Sequence, residues 1–252
     1  MWARAALLVS VCLLALGPLS SVLAQPKPKR VALVIGNDAY DGATSPKGLT
    51  KLDNPVRDAH AIAVLLEKHG FAVTSGYDLD RDRFARMLQG FARTAAGADT
   101  ALVFYAGHGM EVIDPNQLDI FNVLAPTNAE IDCETLAHFN TVKLDEITAA
   151  LRGVKNQIVI LDACRNNPFP GGRCQQRGEE TRSHGFRAPD VKKRRGEAML
   201  IAYSTAQKSF ARDGAPGSHS PFAQHLLSVL ADNPTANFFP LMNQIVVTSC
   251  RE

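Results

Sequence analysis

The sequence predicts an α/β fold in which a mostly parallel sheet carries helices on both faces. Three observations predict it. Short apolar runs alternate with helical patterns along most of the chain, the order that builds parallel sheets through crossover helices. The runs are rich in branched residues and nearly unbroken, as expected of strands covered on both faces. Two of them, residues 100–107 and 157–161, end abruptly on polar, chemistry-bearing residues: His108 in one case, Asp162-Ala163-Cys164 in the other. Open α/β sheets place their ligands at the carboxyl ends of strands.

The first residues read as a targeting segment rather than fold. Arg4 is a short positive region, residues 5–16 are apolar, and Val22-Leu23-Ala24 offers small residues for a peptidase. Residues 1–24 are therefore expected to be a secretory signal peptide, cleaved after Ala24. The apolar stretch is short for a spanning helix of about 20 residues, which argues against an uncleaved anchor. The protein is expected to be exported, to a periplasmic or extracellular site. Formal net charge is +2, one unit of it from Arg4; so even a balance argues against a nucleic-acid partner. Residues 25–29 form a polar linker, and residues 30–252 are long enough for one domain with a real core.

Residues 30–36 (RVALVIG) make the first strand, and a glycine- and proline-bearing loop follows. Asn54-Pro55 starts a helix with a cap residue and proline at the first position. Val56, Ala59, Ile62, Ala63 and Leu66 give its apolar face, and Gly70 ends it. A second strand runs to Gly76. A second helix, about residues 80–96, carries Phe84, Leu88, Phe91 and Ala95 at helical spacing. After the strand that ends at His108, residues 110–140 read as irregular apart from a short strand at 121–124. Leu144, Ile147 and Leu151 mark a short helix before the Cys164 strand. Residues 170–196 are rich in glycine, arginine and serine and are expected to form a mobile loop. A strand at 198–203, a helix opened by Ser220-Pro221 and a last helix at about 237–250 complete the reading. The sheet is expected to lack a final edge strand, or the chain to be truncated.

A thiol and an imidazole at neighbouring strand ends suit one chemistry. The cysteine needs a base for thiolate character and amide donors for the oxyanion formed on attack. His108 can be the base, and the N–H groups of Gly109 and Cys164 are natural oxyanion donors. These are the parts of acyl transfer, the hydrolysis of a peptide bond through a thioester. Cys133, Cys174 and Cys250 remain beside Cys164 outside the leader, without the paired spacing of a zinc site. If Cys164 is catalytic, at most one disulfide can form among the other three. No cofactor is expected and no metal-ligating residue is assigned; with no dense oxygen-ligand loop evident, the sequence leaves a calcium requirement open.

The motifs Tyr105-Ala106-Gly107-His108-Gly109 and Leu161-Asp162-Ala163-Cys164-Arg165-Asn166-Asn167-Pro168-Phe169 resemble the catalytic signature of the caspase-like cysteine peptidases. The nearest likeness is to the bacterial metacaspase- and paracaspase-like members. A histidine some 50 residues before the cysteine agrees with that family's pattern. The resemblance extends from residues 31–37 through 52–59 to Ser220-Pro221-Phe222, nearly the whole exported chain. It implies a three-layer αβα sandwich and protein or peptide substrates. It also implies an acidic pocket for arginine or lysine at P1, the substrate residue whose carbonyl is attacked. Asp162, two before the nucleophile, matches a pocket acid; Asp58 matches one near the start of the first helix, and Asp213 matches more loosely. Carboxylates hold a guanidinium through charge-assisted, bidentate contacts. The basic run at residues 192–195 would suit such a pocket and is a candidate processing site. One departure stands out: residues 111–119 are expected to delay the strand that relatives carry just after the histidine.

Two other readings are weighed here. A catalytically inactive caspase-like binding or scaffold module would not need both His108 and Cys164 with both flanking glycines. A doubly wound ligand-binding domain would need a glycine-rich phosphate loop after a strand, and Ile35-Gly36-Asn37-Asp38 is not one.

Overall fold

The computed structural model describes residues 27–40, 49–113, 120–131, 134–163, 196–204, 213–234 and 238–242. Residues 1–26, the segment expected to be a signal peptide among them, Cys133, Cys164, Cys174 and Cys250, almost all of residues 170–196 with the basic run, and residues 243–252 lie outside the described residues.

Five parallel strands form the central sheet: β1 (Arg30–Gly36), β2 (Ala72–Tyr77), β3 (Thr100–Gly107), β7 (Asn156–Ala163) and β8 (Ala198–Tyr203). Their order is β2-β1-β3-β7-β8. The chain steps from β1 outward to β2, then returns past β1 to β3. Strand order therefore reverses around β1, and that is where doubly wound sheets open a crevice at the carboxyl ends.

Alternation of side chains along each strand divides the interior into two cores. Val31, Leu33 and Ile35 of β1, Val103 and Tyr105 of β3, and Val159 and Leu161 of β7 face one side. Phe84, Leu88 and Phe91 of α2 (Arg81–Ala95) cover that side, with Leu144 and Ile147 of α4 (Leu144–Ala150). Ala32 and Val34, Leu102 and Phe104, and Ile158 and Ile160 face the other. Ala59, Ile62, Ala63 and Leu66 of α1 (Pro55–Lys68) and Leu226 and Leu230 of α5 (Pro221–Asp232) cover it, joined by Phe238 from the helical residues 238–242. Each core holds several fully buried side chains of leucine size or larger, and burying one such side chain stabilises by roughly 1.5–3 kcal/mol. The result is three layers, helix–sheet–helix.

One expectation is corrected. The described residues between 110 and 140 are not irregular. β4 (Gly109–Ile113) starts directly after His108 and pairs antiparallel with β5 (Ile120–Leu124), which pairs with the two-residue β6 (Val142–Lys143). α3 (Glu134–Asn140) lies between β5 and β6 in sequence. The strand after the histidine is thus immediate, with Glu111 inside it. The sequence hid β4 because its five residues, GMEVI, begin with glycine and carry a buried glutamate, Glu111, 2% exposed. This small sheet has its own core of Met110, Val112, Val123 and Ala137, with Tyr40. Among the described residues, no helix is long and apolar enough to cross a membrane.

Candidate active site

The parallel register of β3 and β7 aligns Ala106 with Asp162 and Gly107 with Ala163. Hydrogen-bonded strands run about 4.8 Å apart, so His108 and Cys164 each follow directly from a register-matched pair. The chain beyond Ala163 lies outside the described residues.

His108 is held through its backbone. Its N–H donates to the hydroxyl of Tyr40 at 3.0 Å, and its carbonyl accepts from the Tyr105 hydroxyl at 2.8 Å. The same carbonyl accepts from Ala125 N–H at 2.9 Å. The two tyrosine oxygens lie 3.1 Å apart, and both approach the Ala125 carbonyl, at 3.1 and 3.0 Å. Gly107 makes room for this clamp. Its φ is +151°, and a side-chain carbon placed there would come within 2.7 Å of both hydroxyls, so only glycine fits.

The imidazole packs edge-on against Tyr40, with ring centres 4.6 Å apart. Its Nε2 lies 2.7 Å from the Thr50 carbonyl. A carbonyl only accepts, so Nε2 carries the proton. Neutral His108 then presents Nδ1 as its basic nitrogen. Burial pushes its pKa below the ordinary histidine value, against smaller opposing effects of the Thr50 carbonyl and the Asp213 charge. Burial therefore favours the neutral ring.

Gly109 is oriented by the hairpin. His108 and Ala125 form a hydrogen-bonded opposed pair, through Ala125 N–H. Opposed pairs alternate in an antiparallel ladder, so the next pair, Gly109 and Leu124, does not exchange bonds. The Gly109 N–H therefore points away from β5.

The three carboxylates named from the sequence come together. Asp162 lies on the α1/α5 face of β7, because it alternates in register with Ile158 and Ile160. Its Oδ2 accepts from the Ser220 hydroxyl at 2.5 Å. Ser220 is the N-cap of α5, and its oxygen also accepts from Ala223 N–H at 2.9 Å. Asp58, in the first turn of α1, accepts from Ser220 N–H at 3.1 Å and from His219 Nδ1 at 2.6 Å. The Asp213 carboxylate accepts from the N–H groups of Asp53 and Asn54, at 2.6 and 3.3 Å.

Asn54 occupies the N-cap position of α1, but its side chain makes no cap bond. Its Nδ2 donates instead to the carbonyls of Asp213 and Ala215, at 2.6 and 3.0 Å. Asn54 thus ties the loop carrying Asp213 to the start of the helix carrying Asp58.

Burial raises the Asp162 pKa to about 6, and the charges of Asp58 and Asp213 push the same way. The hydroxyls of Ser220 and Ser204 oppose them. Asp58 is also raised, again by burial first, with His219 and Ser220 opposing. A site that concentrates partly destabilised carboxylates is suited to a cationic ligand group. Among the described residues, no group of three or more His, Cys, Asp or Glu side chains is placed to hold a metal ion.

Sequence reasoning missed Tyr40, Thr50 and His219. Tyr40 and Thr50 lie in the loop between β1 and α1, far from His108 along the chain, and no local pattern couples them to it. His219 lies in the loop before α5; its neighbour Ser220 is visible in the sequence as a cap, but the pairing with Asp58, 161 residues away, is not.

Comparisons with known proteins bear on the family and the fold. The family model described as the caspase domain matches residues 29–249. No curated protein matches the chain. Two crystal structures are similar to it in fold. Caspase-1 from Spodoptera frugiperda is 19% identical with a TM-score of 0.58, covering 88% of this chain and 78% of its own. Protein GSU0716 from Geobacter sulfurreducens is 20% identical with a TM-score of 0.58, covering 82% of this chain and 83% of its own. With the family model matched over nearly all of the described fold, the chain belongs to the caspase-domain family of cysteine peptidases.

Proposed function

We propose that the protein is an exported cysteine endopeptidase that cleaves after arginine or lysine. Cys164 is the nucleophile, His108 the base, and Asp162, with Asp58 and Asp213 beside it, supplies the negative pocket. The observation that carries the reading is the β3–β7 register: Gly107 pairs with Ala163, and the histidine and cysteine are the next residues of each chain segment.

In the reaction, Nδ1 of neutral His108 takes the Cys164 thiol proton as sulfur attacks the P1 carbonyl carbon. The oxyanion that forms is met by the N–H groups of Gly109 and Cys164. Protonated His108 then gives its proton to the leaving amine, the C–N bond breaks, and a thioester remains. Water, deprotonated by His108, attacks the thioester and releases the acid and the thiol. The Thr50 carbonyl keeps the ring oriented and fixes the tautomer throughout.

The carboxylate cluster favours a P1 cation, since three acids of one sign converge beside the strand end. An aspartate at P1 would meet like charge. An inactive scaffold would gain nothing from burial that keeps His108 neutral. The test is hydrolysis of peptides carrying Arg, Lys or Asp at P1. Turnover after Arg or Lys supports the reading; turnover only after Asp removes the acidic pocket and leaves the mechanism; no turnover on any removes both.

A further inference from the structure

The turn between β2 and α2 holds a carboxylate that the reaction does not use directly. Asp78 follows the last residue of β2 and has a φ of +49°. That is the left-handed region, which aspartate and asparagine enter more readily than other residues with a side chain. Its backbone N–H donates to the Gly36 carbonyl at the end of β1, at 2.9 Å. Its Oδ1 accepts from the N–H groups of Asp38 and Ala39, at 3.0 and 2.9 Å. Successive N–H groups turned to one side form a small anion-binding concavity, and here the anion comes from the chain itself.

The amides it holds lead to His108 by two routes. The Asp38 carbonyl accepts from the N–H groups of Tyr40 and Leu52, at 2.9 and 3.1 Å. The Tyr40 hydroxyl accepts from His108 N–H, and its ring packs against the imidazole. Two residues before Leu52, the Thr50 carbonyl accepts from Nε2 of the same imidazole. One carboxylate thus stands behind both the backbone contact and the ring contacts that the β1–α1 loop makes with His108.

We infer that Asp78 is a positioning residue for the base: its carboxylate fixes the loop after β1 so that Tyr40 and the Thr50 carbonyl meet His108. The inference rests on the role of His108 proposed above and adds to it a residue that touches neither substrate nor the reacting atoms.

The arrangement has two costs. A side chain in the left-handed region is strained, and such strain persists where the surroundings over-determine it. The Asp78 charge also acts on its neighbour Asp38, whose pKa is raised first by burial and next by that charge, with Lys51 opposing. A turn that only joined β2 to α2 would be served by glycine, without strain or like charge. What glycine lacks is the acceptor for the two amides.

Asp78→Gly keeps the backbone angle and removes the acceptor. Asp78→Asn keeps both, since a single oxygen takes the two bonds. On an arginine-P1 peptide the glycine variant is expected to lose kcat about tenfold, within the roughly 10²-fold that a 1 Å misplacement costs, with KM changed less than about twofold. The asparagine variant is expected to stay near wild type. Nitrogen NMR reads the imidazole without turnover, its signals assigned by their loss in His108→Ala. Wild type is expected to show the Nε2–H tautomer alone, the glycine variant a mixture of both, and the asparagine variant one again. Unchanged kcat and a single tautomer in a folded Asp78→Gly protein overturn the inference. Equal loss in the two variants overturns it too, because the acceptor oxygen then does nothing. A rise in KM alone also overturns it, since that marks a pocket role. If the wild type cleaves no peptide, the proposed function fails, and the tautomer readout still decides this inference. If the glycine variant does not fold, hydrogen exchange in the wild type gives the second reading. Slow exchange of the Asp38 and Ala39 amides, which lie beyond the end of β1, supports the clamp, and exchange at free-peptide rates contradicts it.

Discussion

The histidine corner and the carboxylate cluster sit at the same end of the sheet but are built in opposite ways. His108 is held by neutral donors and acceptors on its own backbone: two tyrosine hydroxyls, a glycine that makes room for them, and a neighbouring strand. Its ring touches one carbonyl. The acids are held by their charged oxygens, through bonds that bridge α1, β7 and the loop before α5. The first arrangement fixes a position and, through burial, favours the neutral ring. The second holds like charges together at a cost in stability and makes their protonation depend on partners. A reaction needs the base neutral and well placed, while selectivity for a cation needs negative charge kept where burial opposes it.

That contrast can be broken at either end. The largest effect is expected from His108→Ala, which removes the base and leaves the tyrosine clamp on the backbone. Peptide kcat/KM should fall by about 10²–10⁴-fold, with the melting temperature close to wild type. Removal of the acid should act on two readouts of opposite sign. Asp162→Asn should lower kcat/KM on arginine peptides by roughly 10²-fold, the weight of a buried charge-assisted contact. It should also stabilise the fold at neutral pH. A carboxyl whose folded pKa is about 6 instead of 3.8 binds more protons folded than unfolded between those values. Stability therefore falls as pH rises through that window, by up to about 3 kcal/mol. Denaturant melts should find the variant more stable than wild type at pH 7.5 and equal to it near pH 3.5.

Smaller effects belong to the clamp. Gly107→Ala would force a side-chain carbon against both tyrosine hydroxyls at a backbone angle that L-residues avoid. A loss of about 2 kcal/mol in stability with a fall in kcat is expected, read by thermal melts and steady-state kinetics. Tyr105→Phe removes the donor to the His108 carbonyl but leaves Ala125 N–H in place. It should cost about 1 kcal/mol and lower kcat several-fold, with KM near wild type. If Tyr105→Phe instead raised KM alone, the clamp would belong to the pocket and not to the base, and the division between the two regions would fail.

Much of this was legible in the sequence, for physical reasons. A strand buried on both faces must be apolar throughout, so β1, β3 and β7 stand out and their polar ends stand out with them. Helices with one apolar stripe, α1 and α2, announce themselves in the same way. What the sequence concealed depends on distant partners. β4 carries Glu111 on a buried face and opens with glycine, so neither alternation nor composition marks it. Asn54 has the right residue type and position for a cap, yet its amide is drawn off by carbonyls about 160 residues away. Tyr105 was legible as core, and its hydroxyl's use was not. Three acids could be named from family likeness, but their different hydrogen-bond partners appear only in the fold.

The central claim is that Cys164 and His108 cleave peptides under the control of a negative pocket. It is tested most directly by assaying wild type and Cys164→Ala side by side on peptides with Arg, Lys or Asp at P1. The account predicts cleavage after Arg and Lys by the wild type, little after Asp, and none by the variant. Cleavage that survives Cys164→Ala would contradict it.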